Sequence, residues 1–128
     1  MINFTEEYLF YLVKKVIPDL KVTDKFSYKD AYSIIYDLVI EFKCRRKHYD
    51  KLLIEKIKWQ NLITNHNVRY INSTPQGIYS FNLKIINEPI WYEHEMPKQT
   101  DFENNNFVLK KVGYLPIEQA VEITKLIL

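Results

Sequence analysis

Apolar residues recur along the first part of the chain with the spacing of a helix. We predict a helix over residues 4–17 with one buried stripe, ended by Pro18. The stripe consists of Leu9, Leu12, Val13 and Val16. Asn3 and Glu6 have the spacing of a capping box at its start.

The pattern then changes to that of strands. We expect strands near residues 20–26 and 31–36, and a third over 37–43, where β-branched and aromatic residues favour extended structure. Side chains alternate between the two faces of a strand. One face of the third strand carries Asp37, Val39, Glu41 and Lys43, and the other carries Leu38, Ile40 and Phe42. An acid and an amine therefore project together from a strand whose other face is apolar.

Helical spacing returns over residues 49–63. The apolar face of this predicted helix consists of Tyr49, Leu52, Leu53, Ile57 and Ile63. Lys56 and Gln60 fall within the arc of that face. Either these side chains extend along the surface to solvent, or they point to the same site as Glu41 and Lys43.

The residue pattern in the second half of the chain predicts mostly strands. Residues 68–71 and 78–86 have the spacing of a hairpin, and residues 87–103 are predicted to be irregular with one short strand at 90–92. The last two predicted elements are a strand over 107–115 and a helix that begins at Pro116.

Composition narrows the class of protein. A chain of 128 residues with 47% apolar content suits one core, so we predict a single domain over residues 1–128. Eighteen basic against 16 acidic residues leave a net charge of only +2, so charge placement must indicate any polyanionic partner. Two glycines are too few for a glycine-rich phosphate loop.

We expect an intracellular, cytoplasmic protein without a membrane segment. Cys44 is the single cysteine and cannot form an internal disulfide, and no secretory leader is recognisable. No apolar run approaches the roughly 20 residues that cross a bilayer.

The acid and lysine on the third strand suggest metal-assisted chemistry. Buried charges are costly unless they are paired or bind a metal. Mg²⁺ takes oxygen ligands from one or two carboxylates and leaves its other positions to water and phosphate. A neighbouring lysine then holds the attacking water or neutralises charge on the phosphate.

The order of elements and residues resembles the PD-(D/E)XK nuclease superfamily, and small phage and archaeal members, including junction resolvases, are closest in size. The resemblance covers roughly residues 4–83: a helix, strands, an acid, then Glu41-Phe42-Lys43, a basic run and a second helix. It implies an α/β (α+β) fold in which helices flank a mixed β-sheet. The implied core is the restriction-endonuclease-like αβββαβ arrangement, here with an extra C-terminal strand and helix.

The resemblance also implies site residues. Glu41 and Lys43 match the second half of the motif, with Phe42 at the variable position. Asp30, 11 residues before Glu41, matches the first acid, so Asp30 and Glu41 are the implied ligands of Mg²⁺ or Mn²⁺. The sequence departs from the motif at Lys29, which stands where the family has proline.

Two other aspartates are alternatives for the first acid. Asp37 shares a strand face with Glu41 but lies four residues away, about 13 Å along a strand. Asp19 follows a proline, as in the motif, but lies 22 residues before Glu41 at the end of the first helix.

Family members recruit further polar residues from the helices on either side of the motif. The resemblance assigns Glu7 from the first helix, and Lys56 or Gln60 from the second, as assisting residues. Glu6 and Glu7 also lie in the first turn of the predicted helix, where carboxylates are favoured by the helix dipole. Helix capping is therefore the alternative interpretation of Glu7.

A basic run directly follows the motif and suits contacts with a phosphate backbone. It consists of Arg45, Arg46, Lys47 and His48. The alternative interpretation is a solvated loop.

Taken together, these residues lead us to expect a Mg²⁺- or Mn²⁺-dependent endonuclease that acts on DNA, branched or phage and host DNA included, as a homodimer within the cell. The alternatives are an inactive nucleic-acid-binding module of the same fold, or an interaction protein in which Glu41 and Lys43 form a surface ion pair.

Overall fold

The chain folds into two β-sheets with helices packed against them. The computed structural model describes residues 4–97 and 107–128. In chain order its elements are α1 (Glu6–Lys14), β1 (Lys21–Asp24), β2 (Ser27–Ser33), β3 (Leu38–Cys44), β4 (Lys51–Glu55), α2 (Lys56–Leu62), β5 (Val68–Thr74), β6 (Gly77–Asn82), β7 (Tyr92–Pro97), β8 (Phe107–Pro116), a 3₁₀ turn (Ile117–Gln119), β9 (Val121–Glu122) and α3 (Thr124–Ile127). The predicted class, mixed α and β with a mixed sheet, is confirmed.

Strand β3 occupies the middle of the larger sheet. The six strands of that sheet lie in the order β1-β2-β3-β5-β6-β9, and the smaller sheet has the order β4-β8-β7. β3 pairs antiparallel with β2 and parallel with β5, which makes the sheet mixed. Any side chain on β3 is therefore flanked by residues of both neighbours.

The two faces of the larger sheet bury two separate cores. Ile40 and Phe42 on one face of β3 pack in the same core as α1. Three residues of the predicted apolar stripe belong to this core, Leu9, Leu12 and Val13, whereas the fourth, Val16, follows α1 and is exposed. The opposite face packs against Trp59 of α2 and the smaller sheet. Glu41 points to this second face, because alternate residues of a strand face opposite sides.

The first helix is shorter than predicted. It ends at Lys14, whose Nζ donates hydrogen bonds of 2.9 Å to the carbonyl oxygens of Pro18 and Leu20. Thr5 caps its start, since its Oγ1 accepts a hydrogen bond from the Tyr8 N–H at 3.1 Å. Asn3, the predicted cap, lies outside the described residues.

The predicted helix over residues 49–63 is wrong in its first half. Residues 51–55 form β4, which pairs antiparallel with β8, and helix α2 begins only at Lys56. Leu52 and Ile54 are buried and Leu53 between them is half-buried, which is the period of a strand. Pairing with the distant β8 overrides the local helical spacing.

The strand predicted over residues 31–36 is displaced towards the N-terminus. β2 ends at Ser33, and residues 34–37 form a turn in which Asp37 has a positive φ of 48°. β3 therefore begins at Leu38, so Asp37 does not belong to it. The predicted hairpin is confirmed, because β5 and β6 pair antiparallel up to Thr74 and Gly77.

The C-terminal part agrees with prediction in its long strand and differs in its helix. β7 begins at Tyr92, where the predicted strand of 90–92 ends, and residues 98–103 of the segment predicted to be irregular lie outside the described residues. Pro116 precedes only a 3₁₀ turn, and the closing helix begins at Thr124 after β9 has paired with β6. No helix among the described residues is long and apolar enough to cross a membrane.

The half-buried Arg45, directly after β3, fixes the end of that strand to its surroundings. The Arg45 Nε donates to the Asn72 Oδ1 at 2.9 Å, and its Nη2 donates to the Leu53 carbonyl oxygen and, at 3.2 Å, to the Tyr70 hydroxyl. Its backbone N–H donates to the Ser73 carbonyl oxygen at 2.8 Å. Arg45 thus joins the larger sheet to β4 of the smaller sheet.

We predict that Arg45→Lys lowers the free energy of unfolding by about 2–4 kcal/mol. A lysine cannot reproduce the planar fork, so at least one buried acceptor loses a hydrogen bond from a charged donor. Urea unfolding measures the change. Arg46→Lys, at the exposed next position, serves as the control and should change stability by less than about 0.5 kcal/mol. Equal stabilities of the two variants would contradict the structural role of Arg45.

Candidate functional site

Asp30 and Glu41 face each other across the β2–β3 pair. They are directly opposed in the antiparallel register, which places both side chains on the same face of the sheet. Glu41 is only 6% exposed, and Asp30 is half-buried. The aspartate chosen by its spacing from Glu41 is thus the one that the fold brings to Glu41.

The two alternative aspartates lie elsewhere. Asp37 is exposed in the turn before β3. Asp19 accepts hydrogen bonds from the Ser33 Oγ at 2.6 Å and the Ile35 N–H at 3.0 Å, and these bonds hold its pKa below the usual value. Asp19 therefore fixes the β2–β3 turn.

The Glu41 carboxyl group is buried next to a second carboxyl group. Burial, followed by the neighbouring Asp30 carboxyl, raises its pKa to about 8. A protonated Glu41 donates a hydrogen bond to Asp30, whereas an ionised Glu41 is repelled by it. The Lys58 ammonium, whose Nζ lies 3.3 Å from the Glu41 Oε1, acts in the opposite direction and favours the ionised form.

Lys58 takes the position that the sequence assigned to Lys56 or Gln60. Because β4 uses residues 51–55, α2 begins at Lys56, and its buried side chains are Trp59 and Leu62. Gln60 is exposed, and among the described residues the cavity beside Glu41 is lined by Lys58 but not by Lys56 or Gln60. The side chain that α2 places near Glu41 is thus that of Lys58, and not that of Lys56 or Gln60.

Lys43 lies on the same face of β3 as Glu41 and lines an open cavity of about 1270 Å³. Although its amine reaches solvent through the cavity, the surrounding protein removes part of its hydration. This desolvation, together with the charges of Arg45 and Lys29, lowers the pKa of Lys43. A larger share of neutral amine is therefore present than for an ordinary lysine.

The carboxylate that α1 brings to the cavity belongs to Glu6. Glu6 is half-buried, lines the cavity and partly offsets the lowered pKa of Lys43. Glu7 is exposed and, within the described part of the chain, is not among the lining residues. The predicted contribution of α1 is thus shifted by one residue, since neighbouring helical side chains point about 100° apart.

Most of the charged residues that line the cavity are basic. Its basic residues are Lys29, Lys43, Arg45, Arg46, Lys47, Lys51 and Lys58, and its acidic residues are Glu6, Glu41, Asp50 and Glu55. This concentration of positive charge contrasts with the nearly balanced chain as a whole. Of the carboxyl pair, Glu41 lines this cavity and Asp30 is not among the described residues that line it. The positive charges would favour an anionic group beside Glu41.

Two of the four residues in the predicted basic run make hydrogen bonds within the fold. Arg45 is held by Asn72, Leu53 and Tyr70, and the His48 Nδ1 lies 2.8 Å from the Thr74 Oγ1. Both side chains were predicted to contact phosphate and instead connect elements of the fold. The other two residues of the run, Arg46 and Lys47, are exposed at the cavity.

The donor set at the carboxyl pair suits a hard divalent cation. No group of three or more His, Cys, Asp and Glu side chains suitable for a metal is present among residues 4–97 and 107–128. Asp30 and Glu41 offer two carboxyl groups, which is the number of protein ligands that Mg²⁺ commonly uses. A cation there would also relieve the repulsion between the two ionised carboxylates.

Comparison with known proteins found no match to this chain among models of protein families, curated proteins or solved structures. The resemblance to PD-(D/E)XK nucleases therefore depends on the order of the elements and on the residues at the cavity. The activity, the metal ion and the DNA partner that this resemblance implies are proposals.

We predict that Glu41→Gln becomes progressively more stable than the natural chain as the pH rises. The folded protein keeps a proton on Glu41 up to about pH 8, whereas an ordinary glutamate releases it near 4.5. Between these values the unfolded chain binds fewer protons, so the free energy of unfolding of the natural chain falls. The stability difference should grow by at least about 1.4 kcal/mol, equivalent to one pKa unit.

Urea unfolding at about pH 5 and about pH 8, with a chelator present, measures this difference. Glu93→Gln, a change at an exposed position of β7, is the matched control and should show no such growth. A difference for Glu41→Gln that stays constant with pH would contradict the raised pKa.

Proposed function

We propose that this chain is a Mg²⁺- or Mn²⁺-dependent endonuclease of the PD-(D/E)XK type that hydrolyses phosphodiester bonds in DNA. The observation that carries the proposal is the arrangement of three side chains. Asp30 and Glu41 are opposed on neighbouring strands, and Lys43 follows on the same face of β3. This is the constellation that the motif requires.

The order of the elements supports the same proposal. α1, β1, β2, β3, α2 and β5 follow one another as in an αβββαβ core, with β4 inserted before α2. The first four strands of the larger sheet are those of that core, in chain order. We therefore propose a restriction-endonuclease-like core to which the smaller sheet and the C-terminal elements are added.

Asp30 and Glu41 are the residues that would hold the metal ion. When bound there, the ion would supply positive charge that eases deprotonation of water and offsets the charge on the phosphate. The two carboxyl groups would both be ionised in that state. Lys58 would keep the Glu41 carboxylate oriented, because its ammonium already lies 3.3 Å from one oxygen.

Lys43 would act on the attacking water and the phosphate. Its lowered pKa makes the neutral amine, which accepts a proton, more available than in an ordinary lysine. In its charged form the amine would stabilise negative charge on the phosphate. Glu6 would orient this amine from the start of α1. Arg46 and Lys47 would contact the phosphate backbone and fix the position of the DNA without reading its sequence.

We extend the proposal to branched DNA and to phage or host DNA as substrates, and to a two-fold dimer. One copy of a 128-residue chain covers little duplex, and two copies related by a two-fold axis would cut both strands. Size-exclusion chromatography with light scattering, with and without DNA, tests the dimer. A monomer under both conditions would count against it.

One observation favours a second function, a nucleic-acid-binding module without catalysis. The ion pair between Lys58 and Glu41 already compensates part of the charge that a metal would neutralise. In that case the basic cavity would hold DNA, and the carboxyl pair would share a proton.

We predict that the purified protein cuts DNA in Mg²⁺ or Mn²⁺, and that Asp30→Asn, Glu41→Gln and Lys43→Ala each reduce the rate at least about 100-fold. Loss of a metal ligand or of a proton-transfer group costs this much or more. Gel assays on branched, duplex and single-stranded DNA measure the rates, and Glu93→Gln is the control. Salt-dependent binding without cleavage by the natural chain would favour the binding module, and absence of both would leave an interaction protein.

A further inference from the structure

Residues 45–50, which join β3 to β4, form a loop that is fixed to the fold at three points; we call it the anchored loop. Arg45 at its start is held by its guanidinium and by its backbone N–H. In the middle, the His48 ring contacts Thr74 at 2.8 Å. At the end, the carbonyl oxygen of Asp50 accepts a hydrogen bond of 2.8 Å from the Ile117 N–H.

The remaining side chains of the anchored loop face outward. Arg46, Lys47 and Tyr49 all line the cavity that contains Glu41 and Lys43. The Tyr49 ring is 59% exposed. Tyr49 therefore presents an exposed aromatic ring to the cavity from a fixed backbone. Lys47 and Lys51 lie two positions away on either side of it, and the exposed Asp50 next to it also lines the cavity.

An exposed aromatic ring flanked by lysines suits the binding of an unpaired nucleic-acid strand. Phosphates meet lysine in any strand, but an aromatic ring stacks only on a base whose face is free. In a duplex both faces of each base are covered by its neighbours, and protein side chains reach only base edges and backbone. Tyr49 thus has a stacking partner in an unpaired strand and none in an intact duplex.

We infer that the anchored loop binds unpaired DNA, with a base stacked on Tyr49 and the flanking phosphates at Lys47 and Lys51. The inference rests on the proposed function, because it names the class of substrate that reaches the carboxyl pair: single strands, or the single-stranded parts of branched DNA. The cavity has room for this, since its volume of about 1270 Å³ exceeds the roughly 300–1000 Å³ of common ligand pockets.

Binding measured in a chelator tests the inference without any cleavage. The probe is a thymidine oligonucleotide with one 2-aminopurine, used single-stranded and as a duplex, and affinity and fluorescence quenching are both recorded. Tyr49→Ala should weaken single-strand binding by about 5- to 100-fold, the range found for loss of one base–aromatic stack. It should change duplex binding by less than about twofold.

Two variants serve as controls. Tyr49→Phe keeps the ring and should bind the single strand within about threefold of the natural chain. Tyr36→Ala removes a similarly exposed ring, 56% accessible, from the β2–β3 turn, and should bind like the natural chain. Equal losses on single strand and duplex, no loss in Tyr49→Ala, or equal competition by polyglutamate would overturn the inference.

Failure of this inference is distinguishable from failure of the proposed function. Tyr49-dependent binding of single strands by a protein that cuts no DNA in Mg²⁺ or Mn²⁺ would support the inference and reject the nuclease. Metal-dependent cleavage of intact duplex at the same rate by Tyr49→Ala and the natural chain, without a preference for single strands, would support the nuclease and reject the inference.

Discussion

The opposition of two carboxyl groups across the β2–β3 pair is the constraint on which the site depends. Asp30 and Glu41 meet because the antiparallel register pairs them directly, and Glu41 lies on the central strand, where solvent cannot screen it. Burial and the neighbouring acid raise the pKa of Glu41 to about 8. Two acids held in this way either share a proton or are neutralised by a cation, so the fold favours a proton or a positive charge at this point.

Basic side chains near Glu41 supply positive charge, first in direct contact and then further along the cavity. Lys58 of α2 makes direct contact, Lys43 follows along β3, and exposed Arg46 and Lys47 extend the positive charge to the edge of the cavity. Arg45 has a different task, because its hydrogen bonds join β3, β4 and β5 and so fix the anchored loop beside the carboxyl pair. One short segment thus combines structural residues with residues that face the cavity. This division explains how an exposed basic loop can be held in a defined position.

The elements governed by local patterns were predictable, and those that depend on distant pairing were not. The first helix and the strand that carries Glu41 follow from local spacing. The choice of Asp30 follows from the resemblance to the nuclease family, and strand geometry disfavours Asp37. The helix predicted over 49–63 fails because β4 pairs with β8, some 60 residues later in the chain, and this pairing moves the start of α2 to Lys56. Lys58 therefore replaces Lys56 and Gln60 at the cavity. Because Leu52, Leu53 and Ile54 are all apolar, the sequence shows no strand alternation here, and the period of β4 is visible only in the burial of the folded chain.

The central claim is that Asp30 and Glu41 bind a divalent cation together. Crystals of the protein soaked in Mn²⁺, with anomalous diffraction recorded for the natural chain and for Asp30→Asn, test it most directly. If the two carboxylates bind the ion together, an anomalous peak is expected between them, with Glu41 turned towards the ion, and no such peak is expected in the variant. Absence of the peak in the natural chain at saturating Mn²⁺, with Glu41 still paired only with Lys58 and Asp30, would contradict it.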